Sequence, residues 1–191
     1  MGQARRDASA WIEEHGFPNT KDEDWRDLPL DPILGQSFEW SASRGADPST
    51  ASRAAEAVEA ASLCRSATRL VFVNGRFAPV FSLLGDLPVG TTVSNLAADP
   101  ERFHLLTARP DAEPTHAFSA LNTTLAVDGA FVDLPAGTTL EEPIELIFLT
   151  DPGAGPLVSC PRSFIGLGEA SRATIVETHG GLGGERYVTN A

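Results

Sequence analysis

The stretch that follows Gly129 constrains the fold most strongly, because it predicts one short strand after another with no helix between them. The predicted strands cover residues 130–134, 144–149, 164–167, 174–178 and 186–189, and glycine-containing corners separate them. Segment 144–149 is apolar on both faces except at Glu145, which is typical of a strand buried on both sides. No interval is long or periodic enough for a crossover helix, so a doubly wound sheet is disfavoured.

Short strands that meet at glycine corners favour a parallel β-helix, whose coils stack on one another. One coil cannot bury its own faces, and the sequence stops at 189–191 without a capping helix or a polar tail. We therefore expect a fragment cut inside the β-helix. The predicted fold class is mainly β with α, in which an N-terminal helical and α+β region leads into the first coils of a truncated right-handed parallel β-helix.

The residues before about 68 predict helix and loop. Residues 4–15 place apolar side chains on one helical face, and 47–65 form an alanine-rich helix with Asp47 as N-cap and Pro48 at the first helical position. The apolar stripe of this second helix is thin, so we expect it on the surface of a helical N-terminal region. Its members are Ala51, Ala54, Ala55, Val58 and Ala61.

Residues 70–77 predict a strand that runs into an Asn74-Gly75 turn, the strongest short hairpin signal. Helices are predicted over 99–106 and 115–126. We therefore divide the chain into three segments. They are an N-terminal helical region at 1–68, a small α+β segment at 69–129 and the first β-helix coils at 130–191.

Two glycine-containing motifs are interpreted as corners between strands. Residues 87–93 and 134–140 share a Leu-Pro-x-Gly-Thr-Thr pattern, which favours one turn type used twice. Residues 166–171 resemble a dinucleotide-binding fingerprint, but Ser171 replaces the third glycine and a strand pattern continues where a helix must begin. No pyrophosphate site is predicted there.

Composition narrows the class of protein. The chain has 191 residues, 42% of them hydrophobic, and a formal net charge of −12, which argues against nucleic acids and anionic membrane surfaces as partners. We expect no signal peptide, and no apolar run approaches the ~20 residues that a membrane span needs. Two distant cysteines make no disulfide framework. We expect a soluble, cytoplasmic protein.

Catalytic and metal-binding motifs are missing from the sequence. Lys21 has no glycine-rich loop before it, so no ATPase activity is expected. The four histidines, His15, His104, His116 and His179, occur in unrelated segments. Cys64 is expected to be a buried helix residue, and Cys160 in a loop is expected to be the more accessible thiol. An iron–sulfur cluster usually needs four thiolates, so we assign no catalytic, cofactor-binding or metal-binding residue. The carboxylates Asp22, Glu23, Asp24, Glu141 and Glu142 are expected to be solvated.

Residues 16–30 predict a helix stop, a turn and a new helix start. Gly16 suits the residue that ends a helix, Thr20 with Glu23 matches a capping box, and Trp25 is expected to pack against the fold. As a string, this stretch resembles the N-terminal signature of the SufD family of iron–sulfur cluster assembly scaffolds. Further segments resemble the family in the same order. They are 71–77, 121–130, 135–144, and the corners at 168–169, 173–174 and 189–190.

The resemblance implies a non-catalytic scaffold subunit, SufD-like rather than SufB-like, that holds no cofactor of its own in this chain. It implies pairing with a SufB-like paralogue along β-helix edges and docking of a SufC-like ATPase on a C-terminal helical region. In the family the implicated residues lie beyond this sequence, so none is transferred. We also expect the fragment to self-associate. A carbohydrate-active β-helix enzyme and a stand-alone structural or interaction module remain the alternatives.

Overall fold

A computed structural model of the chain describes residues 2–43, 48–64, 66–107, 114–153, 155–183 and 186–191. It combines helices and strands, as predicted, in a mixed α+β fold with three sheets. The helices are α1 (Gln3–His15), α2 (Asp31–Leu34), α3 (Pro48–Ala61), α4 (Pro100–Thr107) and α5 (Ala117–Leu125). The strands are β1 (Glu39–Trp40), β2 (Thr68–Val73), β3 (Arg76–Phe77), β4 (Thr92–Asn95), β5 (Ala130–Leu134), β6 (Ile144–Thr150), β7 (Leu157–Ser159), β8 (Phe164–Leu167), β9 (Ile175–Gly181) and β10 (Tyr187–Thr189).

The strands after Gly129 pair in a regular order. Each of β5, β6 and β7 pairs in parallel with the strand three positions later in the chain, that is, with β8, β9 and β10 respectively. The register is continuous, with Phe131 beside Phe164 and Ile144 beside Ile175. All five strands predicted here are confirmed, and β7 is an additional one. The predicted division into three segments stays a prediction.

On the side away from β8, β9 and β10, each sheet ends in a strand that is short or antiparallel. β2 pairs in parallel with β6 and β1 with β7, whereas β4 pairs antiparallel with β5 and β3 antiparallel with β2. The β2–β3 connection is the predicted hairpin, and both turn residues, Asn74 and Gly75, have positive φ (53° and 71°). The three sheets therefore run in the orders β1-β7-β10, β3-β2-β6-β9 and β4-β5-β8.

The main core lies between the sheet of β2 and β6 and the sheet of β4 and β5. Phe72 stacks on Phe148, with ring centroids 4.9 Å apart, and both rings are buried. The other fully enclosed members of this cluster are Leu70, Val93, Ala130, Val132, Leu134, Ile144 and Leu146. Since β6 is buried along its whole length, its predicted two-sided burial is confirmed.

Helix α3 packs directly on the sheet, which corrects the prediction that it lies on a helical region. Ala54 and Val58 belong to the second buried cluster, together with Val71 on β2, Ile147 and Leu149 on β6, and Leu182 just after β9. Ala51 and Ala55, which were assigned to the apolar stripe, are exposed. The N-cap predicted at Asp47 lies outside the described residues.

The motif shared by residues 87–93 and 134–140 forms a turn at each position. Gly90 and Gly137 both have positive φ (85° and 73°), and the amides of Thr91 and Thr138 donate to the carbonyls of Pro88 and Pro135. The repeated motif is thus one turn used twice, as interpreted. After Gly168 the chain makes a turn and enters β9 rather than a helix, so the strand predicted after this corner is confirmed.

The N-terminal motif folds onto α5. Helix α1 ends at Gly16, whose φ is +70° and whose N–H donates to the carbonyl of Ile12, and α1 packs against α5. The ring of Trp25 contacts Phe118 on α5 at 5.2 Å, so its predicted packing is confirmed. The capping box at Thr20 and Glu23 is wrong: Asp22 precedes a single 3-10 turn, and its carboxylate accepts from the amide of Asn19.

Candidate functional site

Cys160 is buried, which corrects the prediction that it is the more accessible thiol. Its side chain is 2% exposed, and burial raises the pKa of the thiol to about 12, against the smaller lowering effect of a hydrogen bond from Asn190. The cause is β7, which carries Cys160 into the layer beneath the Asn74-Gly75 turn. A thiol of this pKa is not a ready nucleophile or metal ligand at neutral pH.

Cys64 is exposed, contrary to the prediction of a buried helix residue. Helix α3 ends at Ala61, so Cys64 lies in the bend that follows it. Its backbone N–H donates to Oε1 of Glu145 at 2.7 Å. The two cysteines therefore lie in different environments, and neither belongs to a thiolate cluster within the described residues.

The histidines occupy separate sites. His116 caps α5 by accepting from the amide of Ser119, and Nδ1 of His15 contacts the carbonyl of Trp11. His104 lies near Gly2, and His179 is bonded to Glu177. Across the residues that the structure describes, no group of three His, Cys, Asp or Glu side chains could hold a metal ion. Within the same ranges, no helix is long and apolar enough to cross a bilayer.

The carboxylates predicted to be solvated are exposed, and three others among the described residues are buried. Glu145 stood out in the sequence as a charge within an apolar strand, whereas Asp128 and Asp151 were not predicted. Asp128 accepts from the backbone amides of Phe77, Ala97 and Gly129, which fixes the start of β5. Asp151 accepts from Arg53 at 2.8 Å and so attaches α3 to the end of β6. The sequence signal that these two offer is their place beside a buried strand, since Asp128 lies two residues before β5 and Asp151 directly follows β6.

Glu145 is the third buried carboxylate. It accepts from the hydroxyl of Ser62 and the amide of Cys64, both at 2.7 Å, and so holds the connection between α3 and β2. Burial raises the pKa of Glu145, but hydrogen bonds from Cys64, Ser62, Leu63 and Ser66 lower it by more, so its pKa lies below the usual value. The charged form is therefore the one that the fold stabilises.

Helix α5 joins two successive strand layers at one corner. The amide of Asn122 donates to the carbonyls of Pro161 and Asn190, and the amide of Asn190 donates to the carbonyl of Phe118. Pro161 follows β7 and Asn190 follows β10, so one helix fixes the spacing of both layers. The motif around Trp25 contacts the same helix, because the Trp25 ring packs on Phe118.

The surface most suited to interaction is formed by the inner face and free edges of β8, β9 and β10. Within the described residues, these strands end their sheets and have no partner on the outer side. Ile165 and Leu167 align with the buried Val132 and Leu134 but are 42% and 53% exposed. Apolar side chains beside unpaired strand edges are a template for strand addition. We call this surface the open layer.

The open layer also carries a polar pair. Glu177 and His179 align with the buried Leu146 and Phe148, and Nε2 of His179 lies 2.6 Å from Oε1 of Glu177. The His179 ring stacks on Phe148, with centroids 5.1 Å apart. The two apolar positions of β6 are thus followed, in the next layer, by the polar side chains of Glu177 and His179. These side chains can hydrogen-bond to a segment that covers the open layer.

We expect the 191-residue chain to self-associate through the open layer. Leu167→Asp places a charge on this surface at an exposed position, so it should shift the chain toward monomer without unfolding it. Light scattering after size-exclusion chromatography, over a range of protein concentrations, measures the mass. Val80→Asp is the matched control, because Val80 is an exposed apolar residue that lies outside the open layer. A parent chain that stays monomeric, or equal masses for both variants, would contradict this expectation.

Comparison with known proteins places these features in a family. A family model described as the SufBD protein N-terminal region matches residues 1–146. The iron-sulfur cluster assembly SufBD family protein slr0076 of Synechocystis is 30% identical over 171 residues, which cover 87% of this chain and 36% of that protein. The iron-sulfur cluster assembly protein SufD of Escherichia coli K12 is 28% identical over 178 residues, covering 92% and 38%. The chain thus spans little more than a third of the length of these relatives.

Proposed function

Because the chain belongs to the SufB/SufD family, we propose that it is part of a SufD-like scaffold subunit that acts in iron–sulfur cluster assembly. The observation that carries the proposal is the family match over residues 1–146, which includes the motif around Trp25 and strands β1 to β5. The relatives named above are described as iron–sulfur cluster assembly proteins. In this proposal the cluster is the cargo of the assembled complex, and the subunit itself is not an enzyme.

The strand order supports a scaffold built by repetition. Parallel pairing of each strand with the third strand after it is what two stacked coils of a three-sided β-helix would produce. We propose that β5 to β10 are the first coils of a right-handed parallel β-helix. In such a solenoid each coil contacts only its neighbours, so the fold can lengthen without a new core.

The buried polar contacts suit a rigid support rather than a reactive centre. Cys160 is buried with a raised pKa, and the buried carboxylates of Asp128, Glu145 and Asp151 accept hydrogen bonds from the loops they position. We propose that the cluster chemistry occurs on other residues of the complex. A SufB-like paralogue would pair with the β-helix edges, and a SufC-like ATPase would dock outside the present sequence, all in the cytoplasm.

Co-expression tests the proposal. The whole protein, tagged and co-expressed separately with its SufB-like paralogue and with its SufC-like ATPase, should co-purify with each. The 191-residue chain should bind the ATPase poorly, because the proposal places ATPase docking on another region. Tight binding of the 191-residue chain to the ATPase would refute that assignment. Failure of the whole protein to bind the paralogue would refute the scaffold role.

A further inference from the structure

A groove of about 390 Å³ lies beside the corner between β5 and β6. Its apolar lining is formed by Ala67, Leu87, Pro88, Leu140 and Ile144. Leu87 and Leu140 pack against the main core, and Ile144 is part of it. The floor of the groove is therefore the outer side of the main core.

Backbone hydrogen bonds hold both walls of the groove. Leu83 and Arg69 exchange two backbone hydrogen bonds of 2.8 Å, and the amide of Gly85 donates to the hydroxyl of Thr68 at 3.3 Å, which fixes the wall at 86–88. On the other wall the amide of Leu140 donates to the carbonyl of Arg172. A binding segment would thus meet a preformed surface and would not have to order it.

The rim of the groove is acidic. Asp86, Glu141 and Glu142 line it, and all three are exposed. Arg172 forms an isolated β-bridge with Thr139 but does not line the groove, and no lysine or arginine does so within the described residues. With a formal net charge of −12, the chain adds a long-range field of the same sign. A cationic ligand is favoured and an anionic one is repelled.

Exposed apolar residues flank the wall at 86–88 in the sequence. Leu84 lies just before it, and Val89, which is 99% exposed, follows it, but neither lines the groove. The groove itself combines an apolar floor with an acidic rim, which suits a peptide segment that carries both an apolar and a cationic side chain.

We propose that this groove binds a short segment of a partner protein in which an aliphatic side chain is flanked by lysine or arginine. The aliphatic side chain would fill the space above Leu87 and Leu140. The flanking cations would lie against Asp86, Glu141 and Glu142.

A fluorescent peptide of alternating leucine and lysine tests the proposal by anisotropy titration of the whole protein. The double variant Glu141→Lys with Glu142→Lys should weaken binding about tenfold or more, because two rim attractions become repulsions. The control is Glu13→Lys with Glu14→Lys, which makes the same charge change on exposed positions of α1 and should bind like the parent. A peptide with glycine in place of leucine should also bind about tenfold more weakly.

Three outcomes would overturn the proposal. One is that the double variants at 13–14 and at 141–142 weaken peptide binding equally, which would mean that the peptide is attracted only by the net charge of the protein. Another is equal binding of the glycine peptide, which would mean that the apolar lining is not used. The third is the absence of saturable binding of the leucine–lysine peptide to the parent chain.

Discussion

Gly168→Ala should lower the free energy of unfolding by more than about 3 kcal/mol. A Cβ at this position would lie 2.7 Å from the carbonyl carbon of Pro135 and 2.8 Å from Cα of Ala136, distances that real Cβ atoms essentially never show. The obstructing atoms are backbone of the preceding corner, so no side chain can rotate away. The variant would have to separate two strand layers, and urea denaturation followed by circular dichroism measures the cost.

Gly137→Ala is the matched control. Gly137 occupies the equivalent turn with φ of +73°, and nothing lies within 4 Å of its ideal Cβ. Alanine at this position causes only backbone strain, so the free energy of unfolding should fall by about 1 kcal/mol. If the two variants were equally stable, corner-to-corner contact would not control the layer spacing, and the stacking described here would be wrong.

Glu145→Ala should lower the free energy of unfolding by about 3 kcal/mol. The substitution removes the carboxylate that accepts from the Ser62 hydroxyl and the Cys64 amide. Both donors, which lie in the connection between α3 and β2, then lose this acceptor. Glu145→Gln keeps the size and one carbonyl acceptor, so its effect should be smaller. Glu141→Ala, at an exposed position four residues earlier, should change stability by less than about 0.5 kcal/mol.

The pH dependence of this effect follows from the lowered pKa of Glu145. A carboxyl whose folded pKa lies below its unfolded value contributes stability that is fully present above the unfolded pKa, about 4.3, and is lost as the pH falls through the folded pKa. The stability gap between the parent and Glu145→Gln should therefore be largest near neutral pH and should shrink below about pH 4. Urea midpoints measured across this range decide the matter, and a gap that grew on acidification would contradict the assignment.

The strand region was predictable where local chemistry determines the outcome. The ends of β5 and β8 match the prediction to the residue, because each is a short apolar run ended by turn residues. The hairpin at Asn74-Gly75 required positive φ at both positions, and these residue types supply it. The same holds for Gly90 and Gly137 in the repeated corner.

The errors arise where tertiary contacts override local patterns. β7 has three residues and is a strand because β1 and β10 pair with it on either side, which no sequence window shows. Because β7 was not predicted, Cys160 was assigned to an accessible loop, and its predicted exposure is wrong. The capping box at Thr20 failed because Asp22 closes the turn first. Glu145 was noticed as a charge in an apolar strand, but its partners in 62–64 are about eighty positions away in the chain.

We propose that this chain belongs to a scaffold that supports cluster assembly without carrying the cluster on its own residues. The test is anaerobic reconstitution of the 191-residue chain with iron and sulfide, followed by visible absorption spectroscopy. We expect no stoichiometric cluster on the chain alone and a cluster on the complex of the whole protein with its SufB-like paralogue and SufC-like ATPase. A stoichiometric cluster on the isolated chain that is lost in Cys160→Ser would show that the proposal is wrong.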